Sequence, residues 1–149
     1  MYIFKQPGIG GEVKPHVDGC FLYTQPQSVI GMWFALEDCD LTNGCLWAVP
    51  GSHKIPVKRR FKRTADYQHT EFEPKEPEIF SLEGAQPLLT KAGTCVLLHA
   101  SLVHYSEANN SDRSRHAYTL HIIEGDKNVI YPKDNWLQRE DGKEFPAYY

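Results

Sequence analysis

The segment His116-Ala117-Tyr118-Thr119-Leu120-His121-Ile122-Ile123-Glu124 decides the class of the fold. Side chains two apart on an extended chain share a face. Ala117, Thr119, His121 and Ile123 therefore line one side, and Tyr118, Leu120 and Ile122 the other. A helix would need apolar positions three and four apart instead. Working outward, Val29 to Leu36 is the most hydrophobic run and reads as a buried strand. Tyr2 to Lys5, Phe21 to Thr24, Cys45 to Val49, Thr94 to Leu98 and Leu102 to Tyr105 are shorter extended pieces. Turn chemistry separates them: Pro7 with Gly8-Ile9-Gly10-Gly11, Thr42-Asn43-Gly44, Pro50-Gly51-Ser52-His53, Ala92-Gly93 and Asn109-Asn110-Ser111-Asp112. No convincing helix emerges. The expectation is an all-β domain spanning residues 1–149, with about eight short strands in a barrel or jelly roll.

The 149 residues are 41% hydrophobic and 23% charged, enough apolar matter for one core. A net charge of −3 argues against bulk attraction to nucleic acid or an anionic membrane. No apolar run approaches the roughly 20 residues that span a bilayer. The amino end lacks the basic and apolar regions of a signal peptide, so a cytoplasmic protein is expected. Cys20, Cys39, Cys45 and Cys95 show no paired spacing and read as reduced, mostly buried thiols. Gly8 and Gly10 are not a dinucleotide fingerprint, because Val13 stands where the third glycine belongs. Residues 54–78 read as a long loop, with the basic run Lys58 to Arg63 as a solvated face or a phosphate contact. Trp136, Phe145, Tyr148 and Tyr149 in the tail are expected to pack back on the domain.

His16-Val17-Asp18 carries the first sign of chemistry. On an extended segment the imidazole and the carboxylate converge on one point. His104 and His99 compete to supply a third ligand. Two histidines and one carboxylate on one face of a metal leave three positions open, which suits non-haem iron. Zinc would leave one. If the co-substrate is a dicarboxylate, a guanidinium should follow, since it grips a carboxylate through two parallel hydrogen bonds. Arg113 and Arg115 both lie close beyond His104.

Several separated motifs, in order, resemble the phytanoyl-CoA dioxygenase family of Fe(II)/2-oxoglutarate oxygenases. They are Met1 to Pro7, Phe21-Leu22-Tyr23-Thr24, Asn43-Gly44-Cys45-Leu46-Trp47, Pro50-Gly51-Ser52-His53, Ser111-Asp112-Arg113-Ser114-Arg115 with Ala117-Tyr118-Thr119, and Asn135-Trp136-Leu137-Gln138. The resemblance implies a cupin-like double-stranded β-helix. It implies that His16, Asp18 and His104 hold Fe(2+). Arg115, with Ser106 beside it, would bind the far carboxylate of 2-oxoglutarate, and Met1 and Trp33 would line the co-substrate pocket. His99 becomes a core or supporting residue, and His53 has no metal role. The implied reaction hydroxylates a small organic or acyl-type substrate with O2, releasing succinate and CO2, with ascorbate as an accessory reductant. Retention of Asp18 favours hydroxylation over halogenation. A monomer acting on a small molecule is expected. Family members carry an amino-terminal region that backs one sheet, and the match here begins at the first core strand. The implied domain therefore lacks that region and leaves one sheet face exposed. Two rivals remain: a module that binds metal and 2-oxoglutarate without turnover, and a cupin-like metal lyase or isomerase that needs no 2-oxoglutarate.

Overall fold

The computed structural model describes residues 1–139 and 142–147. Among the described residues are ten strands and two single 3-10 turns. The strands are β1 (Tyr2–Lys5), β2 (Val13–His16), β3 (Ile30–Ala35), β4 (Leu46–Ala48) and β5 (Arg60–Arg63). They continue as β6 (Thr70–Glu73), β7 (Gln86–Leu88), β8 (Cys95–His99), β9 (His104–Ser106) and β10 (Arg115–Ile122). Antiparallel pairing is nested: β1 with β10, β2 with β9, β3 with β8, β4 with β7, and β5 with β6. The chain is thus one long antiparallel ribbon with β5–β6 at its tip. Further pairs, β10 with β3 and β9 with β4, wind the ribbon into two facing four-stranded sheets. Their orders are β1-β10-β3-β8 and β2-β9-β4-β7, the jelly roll expected from the sequence.

Period-two alternation aims one face of each sheet inward. Thr119 of β10 lies between Trp33 of β3 and Met1, while Trp33 pairs with Val96 of β8. Trp33, Ala35, Cys39, Cys45, Leu46, Leu98 and Ala117 form the core between the sheets. A second cluster of Val17, Cys20, Val49 and Val103 packs with Phe21, Val57 and Phe72. On the outer face of the first sheet, Tyr2, Phe4, Ile30, Leu97, Tyr118, Leu120 and Ile122 are all exposed. These apolar residues are contiguous across the strand register.

Lys5 closes β1 and is 2% exposed. Its ammonium donates to the carbonyls of Gly11 and Glu107, each at 2.5 Å, clipping two loops together. Burial, aided by the nearby Arg115 cation, lowers its pKa to about 8. Gly44 makes room for it: at φ 83°, a Cβ there would lie 3.0 Å from Lys5 Cδ and 2.7 Å from the Glu107 carbonyl.

Several expectations change. Strand β2 escaped the sequence reading because Pro15 interrupts it. β2 is an edge strand, where a missing N–H is tolerated, and Pro87 in edge strand β7 follows the same rule. Phe21 to Thr24 is not a strand. A 3-10 turn over Asp18–Cys20 precedes it, with Phe21 and Leu22 donating back to the Asp18 carbonyl. Residues 54–78 contain the β5–β6 hairpin rather than one loop. Of the basic run, Arg59, Arg60, Lys62 and Arg63 have partners within the chain. Arg59 stacks 3.8 Å above the Phe72 ring and donates to Pro74 and Lys75 carbonyls. Arg60 pairs with Asp134 at 2.7 Å, and Lys62 with Glu73. In the tail, Trp136 packs on Phe61 and Phe145 on Tyr131, while Tyr148 and Tyr149 lie outside the described residues. All four cysteines are free, and only Cys95 is exposed. Burial pushes the Cys20 and Cys45 thiols up to about 11, as expected of inert structural thiols. Among the described residues no helix is long and apolar enough to cross a membrane.

Candidate metal centre and its pocket

His16 ends β2 and His104 begins β9, and the two are cross-strand partners. Val17 is extended (φ −125°, ψ 135°), so Asp18, two residues on, projects to the same side as His16 even though it opens a 3-10 turn. One ligand atom from each of the three side chains lies within 4.8 Å of the others. Asp18 Oδ1 is 3.8 Å from His16 Nε2 and 3.6 Å from His104 Nε2. Nδ1 of His16 lies 2.8 Å from the Lys14 carbonyl, and Nδ1 of His104 lies 2.9 Å from the Leu102 carbonyl. A carbonyl can only accept, so Nδ1 carries the proton in both rings. Each Nε2 is left with a free lone pair aimed at the carboxylate. Burial pushes the His104 pKa down, which keeps its ring neutral and ready to ligate. Burial of Asp18 opposes its charge, but His121, His104 and His16 outweigh it and hold the carboxyl below its ordinary range.

The cluster opens into a cavity of about 300 Å3 whose walls include Met1, Trp33, Leu46, Ser106, Arg115 and Thr119. Arg115 is 1% exposed. One guanidinium nitrogen reaches Ser106 Oγ at 3.4 Å, and the guanidinium carbon stands 5.7 Å from the Trp33 ring centroid. Its Nε and second terminal nitrogen are buried with no hydrogen-bond partner. Among the described residues no carboxylate pairs with it. Burial accordingly lowers its pKa. A buried cation with two idle donors is costly unless an anion enters to meet it. Two imidazoles, a carboxylate and an anion-seeking arginine in one cavity fit a ferrous ion with a dicarboxylate co-substrate.

Residues 1–117 match the family model for phytanoyl-CoA dioxygenase (PhyH). The chain belongs to the phytanoyl-CoA dioxygenase family. It is 51% identical over 144 residues to a phytanoyl-CoA dioxygenase of Arabidopsis thaliana, covering 93% of this chain and 48% of that protein. It is 49% identical over 152 residues to phytanoyl-CoA dioxygenase domain-containing protein 1 of Danio rerio, covering 100% and 52%. The chain thus spans about half the length of these curated relatives. Among solved structures it is similar to a non-haem α-ketoglutarate-dependent carbocyclase, SnoK, from nogalamycin biosynthesis. That likeness has TM-score 0.64 and 26% identity, with 87% of this chain and 49% of that one covered. It shares its fold with EvdO2 of Micromonospora carbonacea var. aurantiaca, solved in complex with 2-oxoglutarate. There the TM-score is 0.66 and the identity 20%, over 93% of this chain and 56% of that one.

Within this family member, the structure brings His16, Asp18, His104, Ser106, Trp33, Arg115 and Met1 to one cavity. The competing residues lie elsewhere. His99 is exposed, accepts a hydrogen bond from the Ser101 amide and packs against the His53 ring, so it is neither core nor a support of the site. Arg113 is exposed and pairs with Asp40 at 2.5 Å. Sequence reasoning missed one residue of consequence, His121, whose Nε2 lies 3.2 Å from Asp18 Oδ2. The alternation of β10 had put it on the inward face with Ala117 and Thr119. Nothing local said that this face meets Asp18, more than a hundred positions earlier in the chain.

Proposed function

We propose that the chain is the catalytic jelly roll of an Fe(II)- and 2-oxoglutarate-dependent dioxygenase. It would hydroxylate a small organic or acyl-type substrate and release succinate and CO2. The observation that carries this reading is the buried, unpaired Arg115 guanidinium sharing a cavity with the His16/Asp18/His104 cluster. His16 and His104 would give the metal their Nε2 lone pairs, and Asp18 would give Oδ1 and one negative charge. When bound, the iron supplies the coupled activation of O2 and decarboxylation of 2-oxoglutarate, with ascorbate maintaining the ferrous state. Arg115 and Ser106 would receive the far carboxylate and fix the orientation of the co-substrate. Trp33 walls the cavity with an apolar surface that excludes water, and the buried site strengthens the Arg115–carboxylate attraction.

A second reading is a module that binds metal and 2-oxoglutarate without turnover. One assay separates the two. The chain is incubated aerobically with Fe(II), ascorbate and 2-oxoglutarate, and succinate is quantified against an Asp18→Ala control. Succinate well above the control is expected. Binding of metal and 2-oxoglutarate with no succinate would establish the second reading. Succinate equal in both would remove the site assignment.

A further inference from the structure

The two oxygens of Asp18 face different surroundings. Oδ1 faces His16 and His104, while Oδ2 turns toward the first sheet. There it meets two residues that pair across the β10–β3 ladder, His121 and Gly31. His121 Nε2 stands 3.2 Å away. A Cβ on Gly31 would lie 2.7 Å from Oδ2, inside van der Waals contact, and 3.5 Å from the His121 ring. Oδ2 is therefore lodged in a notch that exists because residue 31 has no side chain. It is buried and makes no fully formed hydrogen bond, so the 3.2 Å contact falls short of good donor alignment.

We propose that Gly31 and His121 form a seat for Asp18 Oδ2 that keeps the carboxylate monodentate. This inference rests on the metal-centre reading above. A carboxylate can give a metal one oxygen or both, and giving both would occupy a further coordination position. With His16 and His104 in place, a monodentate Asp18 leaves three positions, enough for a chelating co-substrate and O2. A bidentate Asp18 would leave two. The depth of the Gly31 notch lets Oδ2 sit back from His16 and His104, and His121 Nε2, 3.2 Å away, is close enough to donate to Oδ2 once Oδ1 is engaged by a metal. His121 is thus a positioning residue, acting on the metal through Asp18. Partners of this kind typically change metal affinity by about 10- to 100-fold.

Mn(II) titrations read the seat without any turnover. His121→Leu removes the donor at a partly exposed position, His121→Gln keeps an N–H at similar reach, and Gly31→Ala fills the notch. Calorimetry gives the Mn(II) affinity. Water-proton relaxation of the bound Mn(II) reports how many waters it holds. The expected results for His121→Leu are an affinity about tenfold weaker and one coordinated water fewer, with both restored in His121→Gln. Gly31→Ala should weaken binding to a similar degree. Melting of each metal-free variant checks folding, and His121→Gln and His121→Leu stay comparable even if Gly31→Ala is unstable. Wild-type affinity and wild-type water count in a folded His121→Leu would overturn the proposal. If the wild-type chain itself takes no Mn(II), the metal-centre reading fails instead, so the two failures are distinct.

Discussion

Arg115→Leu is expected to abolish 2-oxoglutarate binding, raising its Kd by about 100-fold or more, while Mn(II) affinity stays within about twofold of wild type. Removing one partner of a desolvated, hydrogen-bonded charge pair costs roughly 2–5 kcal/mol, which spans about 30-fold to several thousand-fold in affinity. Arg115 belongs at the upper part of that range because it is 1% exposed and has two idle donors. The metal ligands come from β2, the turn after it and the start of β9, and the Arg115 head group meets β9 only through a 3.4 Å contact to Ser106, two residues beyond His104. The same substitution should raise the melting temperature of the ligand-free chain, since it deletes an uncompensated buried charge. It should also raise the Lys5 pKa from about 8, because the Arg115 cation is one of the two influences lowering it. Arg115→Lys is not expected to rescue binding, because an ammonium cannot match the two-pronged geometry of a guanidinium. Titration of 2-oxoglutarate into the Mn(II)-loaded variants checks the affinities, thermal melting of the metal-free Arg115→Leu variant checks the stability, and an NMR pH titration of the Lys5 side chain checks its pKa. Unchanged 2-oxoglutarate affinity in Arg115→Leu would point to a metal enzyme that needs no 2-oxoglutarate.

Asp18→Ala should remove metal binding, lowering Mn(II) affinity by at least about 100-fold and reducing succinate formation to background. The loss removes one of three ligands and the only anionic one, leaving two neutral imidazoles to hold a dication. The fold should tolerate the change. Asp18 Oδ2 makes no fully formed hydrogen bond and Oδ1 has only histidine neighbours at 3.6 and 3.8 Å, so alanine strands few partners. The pH dependence follows from the lowered Asp18 pKa. A carboxyl held below its ordinary value stabilises the fold fully above the unfolded value near 3.8. That contribution is lost only as pH falls through the folded value, so at neutral pH Asp18 is ionised with or without the metal. Circular dichroism beside the calorimetry separates loss of binding from loss of fold.

Much of this was legible in the sequence where burial follows a simple period. β10 and β3 alternate cleanly and hold the inward residues Trp33, Ala117 and Thr119 as their pattern requires. The His16–Asp18 spacing needed only an extended Val17, which the chain supplies. Local pattern could not choose between His99 and His104, because both border apolar pieces beside β8 or β9. Pairing decides it: His104 faces His16 across the β2–β9 ladder, whereas His99 pairs with Ile30 on an outward-facing row. The hairpin of β5 and β6 was hidden by its charges. Each strand carries a single aromatic, and Phe61 and Phe72 complete a cluster only when they meet each other at 4.8 Å. His121 and Gly31 were unreadable for the same reason. Their role comes from a carboxylate delivered by a distant turn, and no periodicity records such a contact.

The central claim is that the histidine–aspartate cluster and Arg115 form one binding unit, metal first and 2-oxoglutarate second. Anaerobic calorimetry with Mn(II), then 2-oxoglutarate, tests it most directly on the wild-type chain. A single saturable metal site per chain is expected, followed by 2-oxoglutarate binding that is at least about tenfold weaker when the metal is left out. No saturable metal binding, or 2-oxoglutarate binding equally well without metal, would contradict it.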